Sequence, residues 1–450
     1  MADPKRGSLL AHTMLVLQKY GGSSVADLDR IRACADRCVA TARAHQGLVV
    51  VVSAMKGETN RLIAMANALV QDSSNVSADP GRGDYVTAAR RSPEHDRELD
   101  QLVATGEKVS AALLAMAISA RGGRAVSLAG HQLGMHTDRS FTRAKITDIS
   151  EQRIRAELAQ GRVVVCAGFQ GIDDRGDITT LGRGGSDTSA VALAAALKAD
   201  VCEILTDVDG VYTTDPRIVP RAQKVHAMSY DEMLELASLG AKVLQIRSVA
   251  FAKKYGVRVH VRSSLHDGPG TMIVAPEEVA RIRTQRADPA MEAIEVSGVA
   301  LQRDEAKVTL VGVPDIPGVI AEVFGALGAA GVSVDMILQN ASRNDRTDIT
   351  FTVGNADLEA ASEVLERLRP GDESLTLETD RSIAKISVVG LGLRSHAEVA
   401  ARVFSVLATE NINVQMVSNS ELKMSVVVQE RYGELALRSL HSAFGLDAPT

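Results

Sequence analysis

The sequence predicts an α/β protein in two parts: a three-layer αβα domain around a mainly parallel sheet, followed by two ferredoxin-like βαββαβ units. Three observations carry this expectation. From Leu15 to about Ala275, apolar strands alternate with helical segments, and GLVVVVSA and GRVVVCAGF are unbroken Val-rich runs. Strands without in-and-out alternation are those of parallel sheets covered on both faces. After APEEVARIRTQRADPAMEA the composition changes, and AKVTLVGVPDIPGVIAEVFGALGAAGVSVDMILQN from Ala306 is echoed by AKISVVGLGLRSHAEVAARVFSVLATENINVQMVSNS from Ala384. Each copy reads strand, loop, helix, strand, strand, helix. At 450 residues the chain is long enough for two or three cores.

Taken in order, strand LVLQ leads through a glycine pair into a helix over VADLDRIRACADRCVATARAH, and the Val-rich strand follows. The polar segment QDSSNVSADPGRGDYVTAARRSPEHDRELD then interrupts the alternation and reads as a surface loop or insertion. Alternation resumes with VVVCAG, TSAVALAAALKA, VCEILTDV, YDEMLELASLGAKVL and VRVHVRSS. The expected divisions are 14–275 for the large domain, 276–305 for a linker and spare strand, and 306–380 and 381–450 for the repeats. The copies are offset by 78 at Ala306/Ala384 and by 80 at Val334/Val414, so the second has a longer loop after its first strand. The second copy ends one strand short, and AIEVSGVALQ, ahead of the first, is expected to cross over and complete it. The alternative is a linker strand docked on the large domain.

Composition removes several function classes. A net charge of −6, 3% aromatic residues and no Trp do not suit a nucleic-acid partner. No apolar run reaches the ~18 to 20 residues of a membrane span, and the first residues lack a small-residue cleavage site, so a cytoplasmic protein without a membrane partner is expected. Cys34 and Cys38 lie one helical turn apart and, like Cys166 and Cys202, form no C-x-x-C pair; burial as small apolar residues explains them better than metal binding. His131, His136, His260, His266 and His396 fall in no metal-ligand spacing.

The chemistry is expected where glycine-rich turns follow strands. G-x-x-x-x-G-K-[ST], D-F-G and G-x-G-x-x-G are all absent, yet KYGGSS, VSAMKGETN and LGRGGSDTSA each place glycines after a strand and near a helix start. Helix N-termini and glycine turns offer N–H groups to an anion, and in a parallel sheet such turns converge on one edge. Gly184 and Gly185 precede Ser186 and Asp187, which read as the N-cap of an Ala-rich helix, and Arg183 offers a planar fork for a carboxylate. In ILTDVDGVYTTDPRIV, turn chemistry alone explains Asp209-Gly210 and Asp215-Pro216, whereas Tyr212 and Arg217 suggest a nucleotide.

Six ordered motifs, LQKYGGSSVAD, VSAMKGETN, TGEKVS, GDITTLGRGGSDTSAVALAAALKAD, TDVDGVYTTDPRIVP and MLELASLGAKVLQIRSVAFA, together resemble the aspartate kinases of the amino-acid kinase family. The tandem repeat resembles their paired ACT domains, and the likeness runs from about Leu15 to Phe444. It implies transfer of the γ-phosphoryl group of ATP to the side-chain carboxylate of L-aspartate, with Mg²⁺ carried on the ATP phosphates. By this resemblance Lys19, Asp187 and Lys242 are catalytic, with Gly21, Gly22 and Ser23 beside Lys19 at the phosphates. Arg183 with Gly184, Gly185 and Ser186 would hold the aspartate carboxylate, with Thr59 hydrogen-bonding it and Glu107 meeting its ammonium; Glu107 could instead simply favour the dipole of the helix it opens. Thr206, Asp207, Tyr212, Asp215, Arg217 and Val243 complete the nucleotide set.

The resemblance also implies feedback by an amino-acid effector, lysine and/or threonine, and a homo-oligomer assembled through ACT domains. In the first copy Asp315, Gly318, Ile320, Ser333, Val334, Asp335 and Gln339 match the effector pocket. In the second, Asn413, Val414 and Gln415 are the equivalents, but Ala397-Glu398 replaces Pro-Gly and Gln415 stands where an acidic residue is common. Two alternatives are a kinase for another substrate, which would share the glycine turns without TGEKVS or the repeats, and an amino-acid sensor, which would have lost Lys19, Arg183 or Lys242.

Overall fold

The computed structural model describes residues 14–71, 92–239, 243–284, 295–368 and 375–447. Lys242, most of the polar segment and the N-terminal residues weighed as a leader lie outside them. The chain forms two compact units, one of residues up to 211 with 224–237 and 242–288, the other of 212–223, 238–241 and 289–450.

The first unit is built on an eight-stranded sheet in the order Ala227–Ser229, Thr271–Val274, Val259–Ser263, Val201–Thr206, Leu15–Tyr20, Gly47–Val52, Val163–Ala167 and Ala125–Leu128. Every pairing described in it is parallel except that between Val259–Ser263 and Thr271–Val274. Strand Leu15–Tyr20 lies centrally, with Lys19 in register with Val51 on one side and Ile204 on the other. Helices Leu28–Ala44 and Thr105–Ala120 pack over one face, where Ile31, Cys34, Cys38, Leu114 and Ile118 meet Val16, Tyr20, Val50 and Val165. All four cysteines are buried and free, and burial pushes the Cys34 and Cys38 thiols up to about 12.

Three local expectations need correction. The polar segment reads as loop through Asp100, but Pro93–Val103 is a helix capped by Ser92, with Pro93 in its first turn. It reads as polar because a narrow stripe, Leu99, Asp100 and Val103, is buried. The helix Gly185–Leu197 is capped by Gly184 in the left-handed region (φ 70°) without a side-chain cap, so Ser186 and Asp187 stand inside the first turn rather than at the N-cap. The first helix starts at Leu28 with Asp27 accepting from the Arg30 N–H, so the Gly21-Gly22 turn stands apart from its N-terminus. Among the described residues, Pro93–Ala120 contains an 18-residue window apolar enough to cross a membrane by length and composition, at mean hydropathy 1.4. Half of that window is buried within the protein, and Leu114 and Ile118 belong to its core.

The second unit contains two four-stranded antiparallel sheets. One has the order Val334–Gln339, Arg346–Gly354, Glu305–Pro314, Thr376–Asp380, covered by helices Val319–Ala329 and Leu358–Leu368. In the other, Met416–Asn419, Lys423–Gln429 and Ile383–Leu391 are joined by Glu295–Gln302, which pairs antiparallel with Ile383–Leu391 as its outer strand. That strand precedes the first repeat yet fills the place left empty in the second. The drawn domain limit also shifts: residues 212–223 group with this unit, because the Val299 N–H donates to Thr213 O at 2.7 Å, Thr213 Oγ1 meets His441 Nε2 at 2.9 Å, and Val219 sits in the second repeat's core.

Candidate active site

Alternation along a strand decides which way Lys19 points. Gln18 and Tyr20 turn toward the helix-covered face, where the Tyr20 hydroxyl donates to Gln18 Oε1 at 3.1 Å and Gln18 Nε2 donates to Glu203 at 2.8 Å. Lys19 emerges on the opposite face, under the helix Gly185–Leu197, and its Nζ lies 2.6 Å from Asp187 Oδ1 with both side chains about nine-tenths covered. A buried ammonium must be paired, and a carboxylate in the first turn of a helix is favoured by the partial charge there. Strand and helix thus fix one cation at the mouth of the sheet.

A cavity of about 640 Å³ opens on this pair. Of the residues expected from the sequence, Lys19, Gly22, Ser23, Thr59, Glu107, Arg183, Gly184, Gly185, Ser186 and Asp187 line it. Neighbours crowd two of these glycines: a methyl group on Gly22 would lie 2.9 Å from the backbone oxygen of Ala54, and one on Gly184 would lie 2.0 Å from Cγ of the Gln245 side chain. Arg183 is exposed between Gly182 and Gly184, both at positive φ.

Glu107 is 3% exposed. Its Oε1 accepts the Ala54 N–H at 2.9 Å, while its buried Oε2 has no hydrogen-bond partner among the described residues. Burial pushes its carboxyl up to about 7, opposed by the Ala54 hydrogen bond and the charge of Lys19. One oxygen of this carboxyl is thus hydrogen-bonded and the other is not, at the wall of the cavity.

Other expected residues lie elsewhere. Gly21 donates its N–H to Leu205 O at 3.3 Å beside the cavity, and Thr206 Oγ1 donates to Asp207 at 3.1 Å at the end of its strand. Neither these nor Val243 line the cavity. Tyr212, Asp215 and Arg217 belong to the second unit, where Arg217 and Asp215 pair with each other at 2.7 Å. Sequence reasoning passed over Ser53, Lys56, Asn60, Phe169 and Gln245, which also line the cavity. Lys56 carries a legible signal, a cation beside the glycine of VSAMKGETN. Phe169 adopts φ 70°, which nothing in the sequence announces.

In the second unit, Asp315 precedes the turn capped by Gly318 at φ 105°, and Ile320 is 38% exposed on the helix that follows. Ser333, Val334, Asp335 and Gln339 lie on or beside the strand Val334–Gln339. Asp335 is ion-paired with Lys385 of the second repeat, which also meets Glu305 at 2.5 Å. At the equivalent place, Lys307 donates to Gln415 Oε1 at 2.5 Å. Asn413 and Val414 lead into the strand Met416–Asn419.

Residues 14–263 match the model of the amino acid kinase family, and 307–370 and 386–444 each match an ACT domain model. The chain belongs to the amino acid kinase family. An aspartate kinase of Pseudomonas fluorescens is 51% identical over 97% of this chain and 98% of its own length, and an aspartokinase of Pseudomonas aeruginosa is 50% identical over the same shares. Escherichia coli aspartokinase III, solved with aspartate and ADP, superposes with a TM-score of 0.72 at 27% identity, covering 95% of this chain and 99% of that one; it has also been solved with lysine and aspartate. Full-length identity at this level sets the chain in the aspartate kinase branch of the family.

Proposed function

We propose that this chain transfers the γ-phosphoryl group of ATP to the side-chain carboxylate of L-aspartate, giving 4-phospho-L-aspartate at the head of lysine, threonine and methionine (diaminopimelate) biosynthesis, under feedback through its ACT domains. The observation that carries the reading is the buried Lys19–Asp187 pair, 2.6 Å apart, on the wall of the cavity that also holds Arg183 and Glu107. The attacking carboxylate, with an ordinary pKa near ~3.9, is already ionised at neutral pH, so the reaction needs no general base. It needs alignment, and positive charge where the transferring phosphoryl group passes.

Lys19 supplies that charge, held in place by Asp187, with Gly22 and Ser23 at the phosphates. Arg183 takes the α-carboxylate of aspartate in a two-point contact, Glu107 its ammonium, and Thr59 and Ser186 the remaining polar atoms. Lys242 is the second phosphate lysine and Thr206, Asp207, Tyr212, Asp215 and Arg217 the nucleotide set on the strength of the family motifs. On the strength of the family resemblance, Mg²⁺ is expected on the ATP phosphates, which commonly supply its ligands in such sites. Lysine and threonine are the effectors to test, and a cytoplasmic homo-oligomer is the expected form. An ADP-release assay with L-aspartate, L-glutamate and N-acetyl-L-aspartate tests the reading. Turnover with L-aspartate alone is expected, and equal turnover with L-glutamate would overturn it.

A further inference from the structure

We infer that Asp100 and Arg247 are positioning residues that grip, from opposite sides, the segment leading into the Arg183 turn, and so set where the aspartate carboxylate is received. This rests on the reading of Arg183 given above. Strand Ile178–Thr180 ends just before Leu181-Gly182-Arg183-Gly184, and the chain leaves its sheet there. Backbone groups at such an exit lose their ladder partners and need others. The Thr180 N–H donates to Asp100 Oδ2 at 2.8 Å and its hydroxyl to Asp100 Oδ1 at 2.5 Å, while Thr180 O accepts from the Ala144 N–H at 2.8 Å. The Leu181 N–H donates to Phe169 O at 2.9 Å, and Leu181 O accepts from Arg247 Nη1 at 2.8 Å. All four groups are satisfied, and two of them use a charged side chain from a distant helix.

The same two side chains hold the loop on which the turn rests. Asp100 Oδ2 also accepts the Thr142 N–H at 2.9 Å, and Arg247 Nη2 donates to Ala144 O at 2.8 Å. Thr142 is a β-branched residue at φ 66°, an outlier that persists only where its surroundings impose it. Its carbonyl lies 3.0 Å from where a methyl group on Gly182 would stand. On the far side of the turn, Gln245 fills the space beside Gly184 and stands two residues before Arg247. The Arg183 turn is thus wedged between Thr142 and Gln245, and Asp100 and Arg247 fix both walls. Neither side chain lines the cavity, so both act through Arg183. Lysine carries its charge on one nitrogen and lacks the planar fork that meets these two carbonyls through separate nitrogens, so it does not preserve the bridge.

The test is steady-state ADP release for Arg247→Lys, Asp100→Asn, Arg183→Lys and the double variant Arg183→Lys/Arg247→Lys, each checked for folding by thermal unfolding. A misplacement of about 1 Å in a positioned group costs on the order of a hundredfold, so Arg247→Lys and Asp100→Asn are each expected to raise the aspartate KM by about ten- to a hundredfold. The ATP KM should move by less than about threefold, and the double variant should add little to Arg183→Lys, because coupled residues are not additive. Folded single variants with wild-type aspartate KM, equal rises for both substrates, or full additivity would overturn the inference. Loss of folding in both single variants would overturn it too, since the pair would then be structural. If Arg183→Lys alone spares the aspartate KM, the assignment of Arg183 fails instead.

Discussion

Lys19 and Glu107 stand 88 positions apart in the sequence and share one cavity with opposite electrostatic problems. Lys19 is paired with Asp187 at 2.6 Å on the wall of that cavity. Lys19→Met removes an electrostatic contact of the kind that contributes about 10²- to 10³-fold to kcat, and should lower turnover by that much while thermal unfolding stays cooperative. Near-wild-type kcat would remove Lys19 from the chemistry. The Glu107 carboxyl is pushed up to about 7 by burial, close to neutral pH. The folded pKa lies above the ordinary 4.5, so protonation favours the folded state, fully below about 4.5, and this contribution fades as pH rises through about 7. Ligand binding has the opposite sign: an ammonium favours the ionised carboxylate. Aspartate affinity should therefore improve as pH rises through about 7, with net proton release on binding at lower pH, readable by calorimetry in buffers of different ionisation enthalpy. Glu107→Gln should flatten both, and an unchanged pH profile would assign Glu107 to its helix alone.

Among the elements, the turn capped by Gly184 separates two costs that glycine removes. An alanine at φ 70° carries a left-handed backbone penalty of about 1–2 kcal/mol, and here its methyl group would also sit 2.0 Å from Gln245 Cγ. Gly161 has the same φ of 70° with nothing within 4 Å of an added methyl group. Gly161→Ala should thus lower the melting temperature and leave the aspartate KM alone, whereas Gly184→Ala should lower it and raise that KM as well. Matching kinetics for the two variants would mean that the Arg183 turn tolerates displacement. This turn also shows what a sequence reveals and withholds. Three glycine-rich turns after strands were legible in the sequence, and residues of all three line one cavity. The missing strand of the second repeat was countable, and Glu295–Gln302 stands in its place. Asp100 sat inside a stretch read as loop, since one buried stripe in a polar helix leaves little periodicity. Arg247 and Gln245 gave no signal, because their partners are backbone groups and a glycine more than 60 residues away.

Across the whole molecule, the second unit is a repeat pair whose halves differ at one equivalent place. Lys307 and Lys385 correspond, as do Asp335 and Gln415, and each lysine reaches the other repeat's residue. Met336 and Met416, also equivalent, pack together with Ile383 and Val427 between the repeats. Lys385 is buried between Glu305 and Asp335, while Lys307 meets a neutral amide. Burial pushes the Glu305 carboxyl up against the pull of Lys385; at Asp335 burial also pushes up, but the Lys385 hydrogen bond and charge hold the carboxyl below its usual range. An effector ammonium arriving at Asp335 must therefore compete with Lys385, whereas Asp315 stands just before the turn capped by Gly318, which has no side-chain cap. The second repeat has neither that carboxylate nor the glycine, and Gln415 gives an ammonium no charge partner. A charge-assisted hydrogen bond contributes about 1.5–3 kcal/mol, so its absence weakens binding by about ten- to a hundredfold. One tight amino-acid site per chain is expected, on the first repeat and completed by an ACT–ACT contact in a homo-oligomer. Asp315→Ala should relieve inhibition by lysine or threonine without changing uninhibited kcat. Calorimetry giving two equally tight sites per chain, or an Asp315→Ala enzyme as inhibitable as the parent, would show that the asymmetry between the repeats does not govern effector binding.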